Sequence, residues 1–186
     1  MKKFIFSAIA LCLVLSASAQ KFYTKDAKIG FDATSTTSPE KIAAVNPKGT
    51  LVVDMATGKM EAAVLVKGFH FEQALMEEHF NENYMESNKF AKATFAGDIV
   101  DFKKSINLAK DGDYTATVKG KLMMHGITKD VETKGVFTVK GGKITAAKSS
   151  FKAPLADYKI SIPGVVRDKI ANDAKIDISG TMQLLK

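Results

Sequence analysis

Apolar and polar residues alternate with a period of two along most of this chain, most clearly from Asp113 to Lys140. Tyr114, Ala116, Val118, Gly120, Leu122 and Met124 fall on one face, with Thr115, Thr117, Lys119 and Lys121 on the other, as a strand with one buried side requires. His125-Gly126 then suits a two-residue turn, because glycine takes a positive φ freely and histidine is among the few other residues that tolerate one. In that register Met124 pairs with Ile127, and Val131, Thr133, Gly135, Phe137 and Val139 join the apolar face. A three-residue turn would carry Asp130, Glu132 and Lys134 inward, so the two-residue turn is expected. Ala116, Gly120 and Gly135 on the inward face either let the sheet bend or leave space unfilled.

The same reading predicts a first strand over Phe22 to Ala33, a loop from Thr34 to Lys48 containing Pro39 and Pro47, and a hairpin of Leu51–Met55 and Met60–Val66 turning at Ala56-Thr57-Gly58-Lys59. From Phe71 to Asn83 the period changes: Phe71, Leu75, Met76, His79 and Phe80 gather on one side of a helix, the only convincing one. Alternation returns at Ala93, Phe95, Gly97 and Ile99, and turns are expected at Asp111-Gly112 and Gly141-Gly142. Ile144 to Phe151 is a strand, Pro154 to Ala171 is irregular with a short helix over Val165 to Ala171, and Ala174 to Leu184 is the last strand. About eight antiparallel strands with one inserted α-helix predict an all-β fold, a closed barrel in preference to an open sandwich, with the helix plugging one end.

The amino terminus changes the setting. Lys2 and Lys3, an apolar run from Phe4 to Leu15 and Ser16-Ala17-Ser18-Ala19 make a secretory signal peptide over residues 1–19, cleaved after Ala19, with one domain over 20–186. The expected destination is the periplasm or the exterior. Cys12, the one cysteine, follows Leu11 where a lipid-attachment signal needs a small residue, so lipidation is not expected and no disulfide can form after cleavage. Loss of Lys2 and Lys3 lowers the formal charge from +7 to +5. The remaining lysines are spread over polar strand faces without interleaved aromatics, which argues against nucleic acid as a partner. Contact with anionic membrane surfaces and a homodimer stay open.

Candidate chemistry is sparse. His70, His79 and His125 share no metal-ligand spacing, and without cysteine a zinc site would need a carboxylate such as Glu78. There is no Gly-x-Ser-x-Gly, and Asp98, Asp101, Asp130 and Glu132 are scattered over outward faces. No catalytic residue, metal ligand or cofactor is therefore expected. The remaining signal is apolar: Phe69, Phe71, Leu75, Phe80, Phe95, Leu122, Phe137 and Phe151 with Met60, Met76, Met124 and Met182. These form either an ordinary core or the lining of a site for an elongated hydrocarbon, since methionine adapts to irregular shapes and glycine makes room.

Gly120-Lys-Leu-Met-Met-His-Gly-Ile-Thr-Lys129, followed by Val131, resembles the G-x-L-x-x-H-G-x-T-K hairpin of the YceI-like family of exported bacterial proteins. His79-Phe80, Met85 to Phe90 and Ala93-Thr94-Phe95-Ala96-Gly97 are similar to that family's helix and following segment, with Ala91 where the family has proline. The segment Thr34 to Lys48 lacks the family's His-Ser-x-x-x-Phe strand. The resemblance implies a lipocalin-like barrel that binds a polyisoprenoid or an isoprenoid quinone. The expected lining is Phe69, Phe71, Leu75, Phe80, Phe95, Ile99, Leu122, Met124 and Phe137. The alternatives are a surface or stress-protective module with a solid interior, and a metal-assisted enzyme using His79 or His125.

Overall fold

A computed structural model describes residues 20–185; the segment expected to be a signal peptide lies outside them. In chain order the elements are β1 (Lys21–Thr34), β2 (Ala43–Asp54), β3 (Lys59–Leu65), β4 (His70–Phe71), α1 (Ala74–His79), β5 (Lys92–Ile99), α2 (Phe102–Ser105), β6 (Gly112–Met124), β7 (Ile127–Lys140), β8 (Lys143–Pro154), β9 (Ile170–Thr181) and β10 (Gln183–Leu184). A π turn, Phe80–Tyr84, extends α1, and single 3₁₀ turns lie at Val66–Gly68, Leu155–Tyr158 and Gly164–Val166. The long strands follow the order β1-β9-β8-β7-β6-β5-β3-β2, every pairing is antiparallel, and β1 also pairs with β2. The sheet is thus an eight-stranded closed antiparallel barrel, with β4 and β10 as short additions.

The β6–β7 hairpin has the expected register: Met124 faces Ile127, Gly120 faces Val131 and Ala116 faces Gly135. His125 and Gly126 take φ values of 51° and 72° in the turn, matching the twist of the strands they join. Elsewhere the expected boundaries need correcting. Strand β2 begins at Ala43, inside the segment expected to be a loop, because Pro47 lies in a register shift where its missing N–H leaves no ladder bond unmade. Phe71 is not helical: it pairs with Ala44, Gln73 is extended, and the helix starts only at Ala74. Helix α2 has no counterpart in the sequence pattern, its four residues being too few to show a period. The helix expected over Val165 to Ala171 is one 3₁₀ turn, with Ile170 already in β9. The last strand breaks at Met182, whose N–H donates to Thr145 O, so that Gln183 and Leu184 return to β1.

Closure is built at the β1–β2 seam. Thr24 faces Leu51, Ala27 faces Gly49 and Ile29 faces Asn46, so each strand carries one extra residue at nearly the same level. The bulges re-phase both strands. Phe22 and Thr24 point inward below, Ala27, Ile29 and Ala33 above; Leu51 and Val53 match Asn46 and Ala44 on β2 in the same way. Asn46 is buried, with Nδ2 donating to Leu65 O at 2.8 Å and Oδ1 accepting from Lys48 N at 2.9 Å.

Buried side chains form two clusters. Phe22, Val53, Met55, Ile106, Val139, Ile144 and Met182 fill the end carrying α2, and Ile29, Val66, Phe69, Phe80, Leu155, Tyr158 and Ile160 gather at the end carrying α1. A Cβ at Gly49 would lie 2.7 Å from Ile29 Cδ1 and 2.9 Å from Ala27 O, the latter a backbone atom that cannot yield. Gly49→Ala is therefore expected to lower stability by about 1–3 kcal/mol, read as a lower urea midpoint with an unchanged m-value.

Candidate functional site: an apolar cavity beneath the helix

Between the two clusters the interior is not filled. A cavity of about 440 Å³ reaches solvent beside Glu40, Leu75 and Lys169 at the end carrying α1. Its size falls within the range of small-molecule sites, roughly 300–1,000 Å³. Phenylalanines form the roof. The Phe80 ring lies 5.0 Å from Phe71, 5.4 Å from Phe31 and 5.7 Å from Phe69, centroid to centroid, all in tilted or edge arrangements. Phe80 reaches this position from the π turn, where Met85 N–H donates to Phe80 O at 2.8 Å across five residues.

The floor explains the small inward residues. The tip of the Phe95 ring occupies the space above Gly97 and Gly120, 2.7 and 2.6 Å from where their Cβ atoms would stand. The Phe137 ring likewise covers Gly135. These glycines are filled by neighbouring rings, and the open volume lies above them.

Of the residues expected to line a site, Phe69, Phe71, Phe80, Phe95, Leu122, Met124 and Phe137 border the cavity, and Leu75 stands on its rim with 59% of its surface exposed. Ile99 does not. It is buried in the lower cluster, because Phe95, four residues earlier on β5, folds over Gly97 and makes the floor above it. The expected set missed the contribution of β1 and β9: Phe31, Ile29, Ile176 and Ile178 border the cavity too. Their alternation was visible in the sequence, but nothing local to β1 or β9 says that the two strands lie side by side.

The histidines are separated. His70 Nδ1 lies 3.5 Å from Glu77 Oε2, and His79 borders the mouth. Among the described residues no three His, Cys, Asp or Glu side chains gather in a way that could hold a metal ion. His125 is the most constrained. Its side chain is 10% exposed, Nδ1 lies 2.9 Å from Tyr158 O, Nε2 lies 2.9 Å from Glu86 Oε2, and Phe90 packs edge-on at 4.6 Å. Tyr158 O and the Glu86 carboxylate both accept, so the protonated ring donates to both, whereas the neutral ring with its proton on Nδ1 donates to Tyr158 alone. The ring ties the β6–β7 turn to the segment after β8 and to the segment after α1. Burial raises the Tyr84 and Tyr158 phenols above their ordinary pKa, with Asp157 adding to the effect at Tyr158.

The model of the YceI-like domain matches residues 20–182. No curated protein matches the chain. Among solved structures, a polyisoprenoid binding domain from Saccharophagus degradans implicated in plant cell wall breakdown superposes with a TM-score of 0.73 at 12% identity, over 90% of this chain and 99% of that one. BcnA of Burkholderia cenocepacia gives 0.63 at 13% identity over 83% and 96%. The Campylobacter jejuni YceI protein gives 0.53 at 16% identity over 75% and 81%. At these identities the likeness is one of fold.

The contacts of His125 lead to a specific expectation. His125→Ala removes a ring that joins three segments and leaves Tyr158 O and Glu86 without it, so stability should fall by about 1–3 kcal/mol. Glu86→Ala, which removes a partner about half exposed (46%), should cost less. Urea unfolding of the two variants beside the parent checks both the sign and the order.

Proposed function

Because the chain belongs to the YceI-like family, we propose that it is an exported, non-enzymatic binding protein that holds an isoprenoid lipid or quinone tail inside its barrel. The observation that carries this reading is the cavity of about 440 Å³ roofed by phenylalanines and floored by Phe95 and Phe137. Burial of apolar ligand surface contributes roughly 25 cal/mol per Å², so a branched hydrocarbon needs few polar contacts to be retained. Edge-on aromatic rings and Met60, Met76, Met85 and Met124 on the wall offer a surface that adapts to methyl branches. The solid-interior alternative would leave no such volume. Support also comes from the Saccharophagus degradans neighbour, described as a polyisoprenoid binding domain. Export rests on residues 1–19, with the domain released after Ala19.

Native mass spectrometry of the purified protein, before and after solvent extraction, should show an apolar adduct that extraction removes. Re-addition of a prenyl quinone at 100 times its Kd should restore about 2.7 kcal/mol of stability. Absence of an adduct together with no stabilisation by added quinone would reject the reading. Ala62 borders the cavity from β3, and Ala62→Leu would extend a side chain into the open volume. That variant should lose quinone binding by about ten-fold or more while unfolding at a urea concentration no lower than the parent, since the added methylenes enter space instead of a packed core.

A further inference from the structure

Four polar strand residues border the cavity, Thr94 on β5, Thr133 on β7, and Lys148 and Ser149 on β8; alternation with Phe95 and Ala147 turns Thr94 and Lys148 outward, which leaves Thr133 and Ser149 as the polar side chains that point in. Their hydroxyl oxygens stand 3.3 Å apart. They also lie where the β7–β8 ladder ends. Its pairing stops at Gly135 and Ser149, although β7 stays paired with β6 as far as Ile127 and β8 stays paired with β9 as far as Pro154. The two hydroxyls partly replace the missing ladder: Ser149 Oγ donates to Lys134 O at 2.9 Å, while Thr133 Oγ1 lies 3.3 Å from Ser150 O and 3.5 Å from Lys134 O.

This arrangement leaves a defined vacancy in hydrogen bonding. A hydroxyl has one proton and two lone pairs. The Ser149 proton is committed at a good distance, so Ser149 can offer the cavity an acceptor. The Thr133 contacts are long, at or beyond the outer limit for O–H···O bonds, so its proton can turn to a better acceptor at small cost. An acceptor beside a loosely held donor complements an alcohol, whose O–H donates to Ser149 and whose oxygen accepts from Thr133. A ketone or quinone oxygen can use only Thr133, and a hydrocarbon uses neither.

We infer that the ligand is an isoprenoid carrying one uncharged hydroxyl, seated between Thr133 and Ser149, with its hydrocarbon under the phenylalanine roof. This rests on the reading of the cavity as a lipid site and adds the chemistry of the polar end. It places that end at the β7–β8 seam in the barrel wall and not among the charged residues of the mouth, Glu40 and Lys169.

The test uses delipidated full-length domain, residues 20–186, titrated with geranylgeraniol, its methyl ether and squalene, and followed by native mass spectrometry and by thermal unfolding. The alcohol should bind about ten-fold tighter than the ether, the worth of one additional hydrogen bond in an apolar setting. In Thr133→Val/Ser149→Ala that ratio should fall to near one, whereas Thr133→Ser, which keeps the hydroxyl, should retain it. Equal affinity of the domain for alcohol and ether overturns the inference while leaving an apolar lipid site intact, and this comparison does not depend on any variant folding. Failure of the alcohol to bind where a prenyl quinone binds overturns the inference alone, and failure of all three compounds and of the quinone overturns the lipid reading itself.

Discussion

The fold depends on closing an eight-stranded sheet at β1 and β2, and closure is possible because both strands are kinked at one level. Without the extra residue on each, the alternation of β1 would carry either Phe22 and Thr24 or Ile29 and Phe31 to the outside. With both, the inward set is apolar along most of each strand. Asp26 and Lys48, the residues displaced outward by the two bulges, pair at 2.7 Å, although at 70% and 76% exposure this pair contributes little to stability. The close approach itself sets the geometry: Gly49 lets β2 come against Ala27 and Ile29, where any side chain would hold the strands apart.

Closure fixes how much interior there is, and the side chains then divide it unevenly. Below Phe95 the space is packed by Ile99, Val118, Val139, Ile144 and their neighbours. Above it the wall is made partly of small residues, Ala33, Ala62, Ala93 and Ala147, and β7 and β8 draw apart beyond Gly135 and Ser149. The glycines of the β6–β7 hairpin turn out to serve the floor and not the void. Gly97 and Gly120 face each other so that one phenylalanine ring can lie across both, which turns a thin part of the sheet into a seal.

Much of this was legible in the sequence wherever a single strand or hairpin carried the information. The His125-Gly126 turn fixed thirteen paired positions of β6 and β7, because period-two alternation on both sides allows one register only. The closed barrel followed from the number of such strands. What was not legible depended on neighbours distant in sequence. Pro47 looked like a loop residue because the bulge that accommodates it is made with β1, about twenty residues earlier in the chain. Phe71 looked helical by its spacing to Leu75, yet pairing with Ala44 holds it extended. Ile99 looked like a lining residue by its alternation with Phe95, and only the folded position of the Phe95 ring separates the two. The turn position of His125 is readable from the Gly126 beside it, but its partners Tyr158 and Glu86 are supplied by segments with no pattern of their own.

Those partners show how the open end of the barrel is held. Helix α1 buries none of its own side chains, so the helix itself adds little to the attachment of the roof. The roof is held instead at its ends: by Phe71 on β2 through the short β4 ladder, by Phe80 among the rings beneath, and by Glu86 on His125. The segment after β8 is held by the same histidine through Tyr158, whose neighbours Leu155 and Ile160 border the cavity. A displacement of either segment breaks a bond to one ring, and loss of that ring removes one fastening from each. The turn that sets the register of the central hairpin is therefore also the point at which two separate parts of the cavity border are fastened to the sheet, which gives a polar residue a structural reason to occupy a left-handed position otherwise suited to glycine or asparagine.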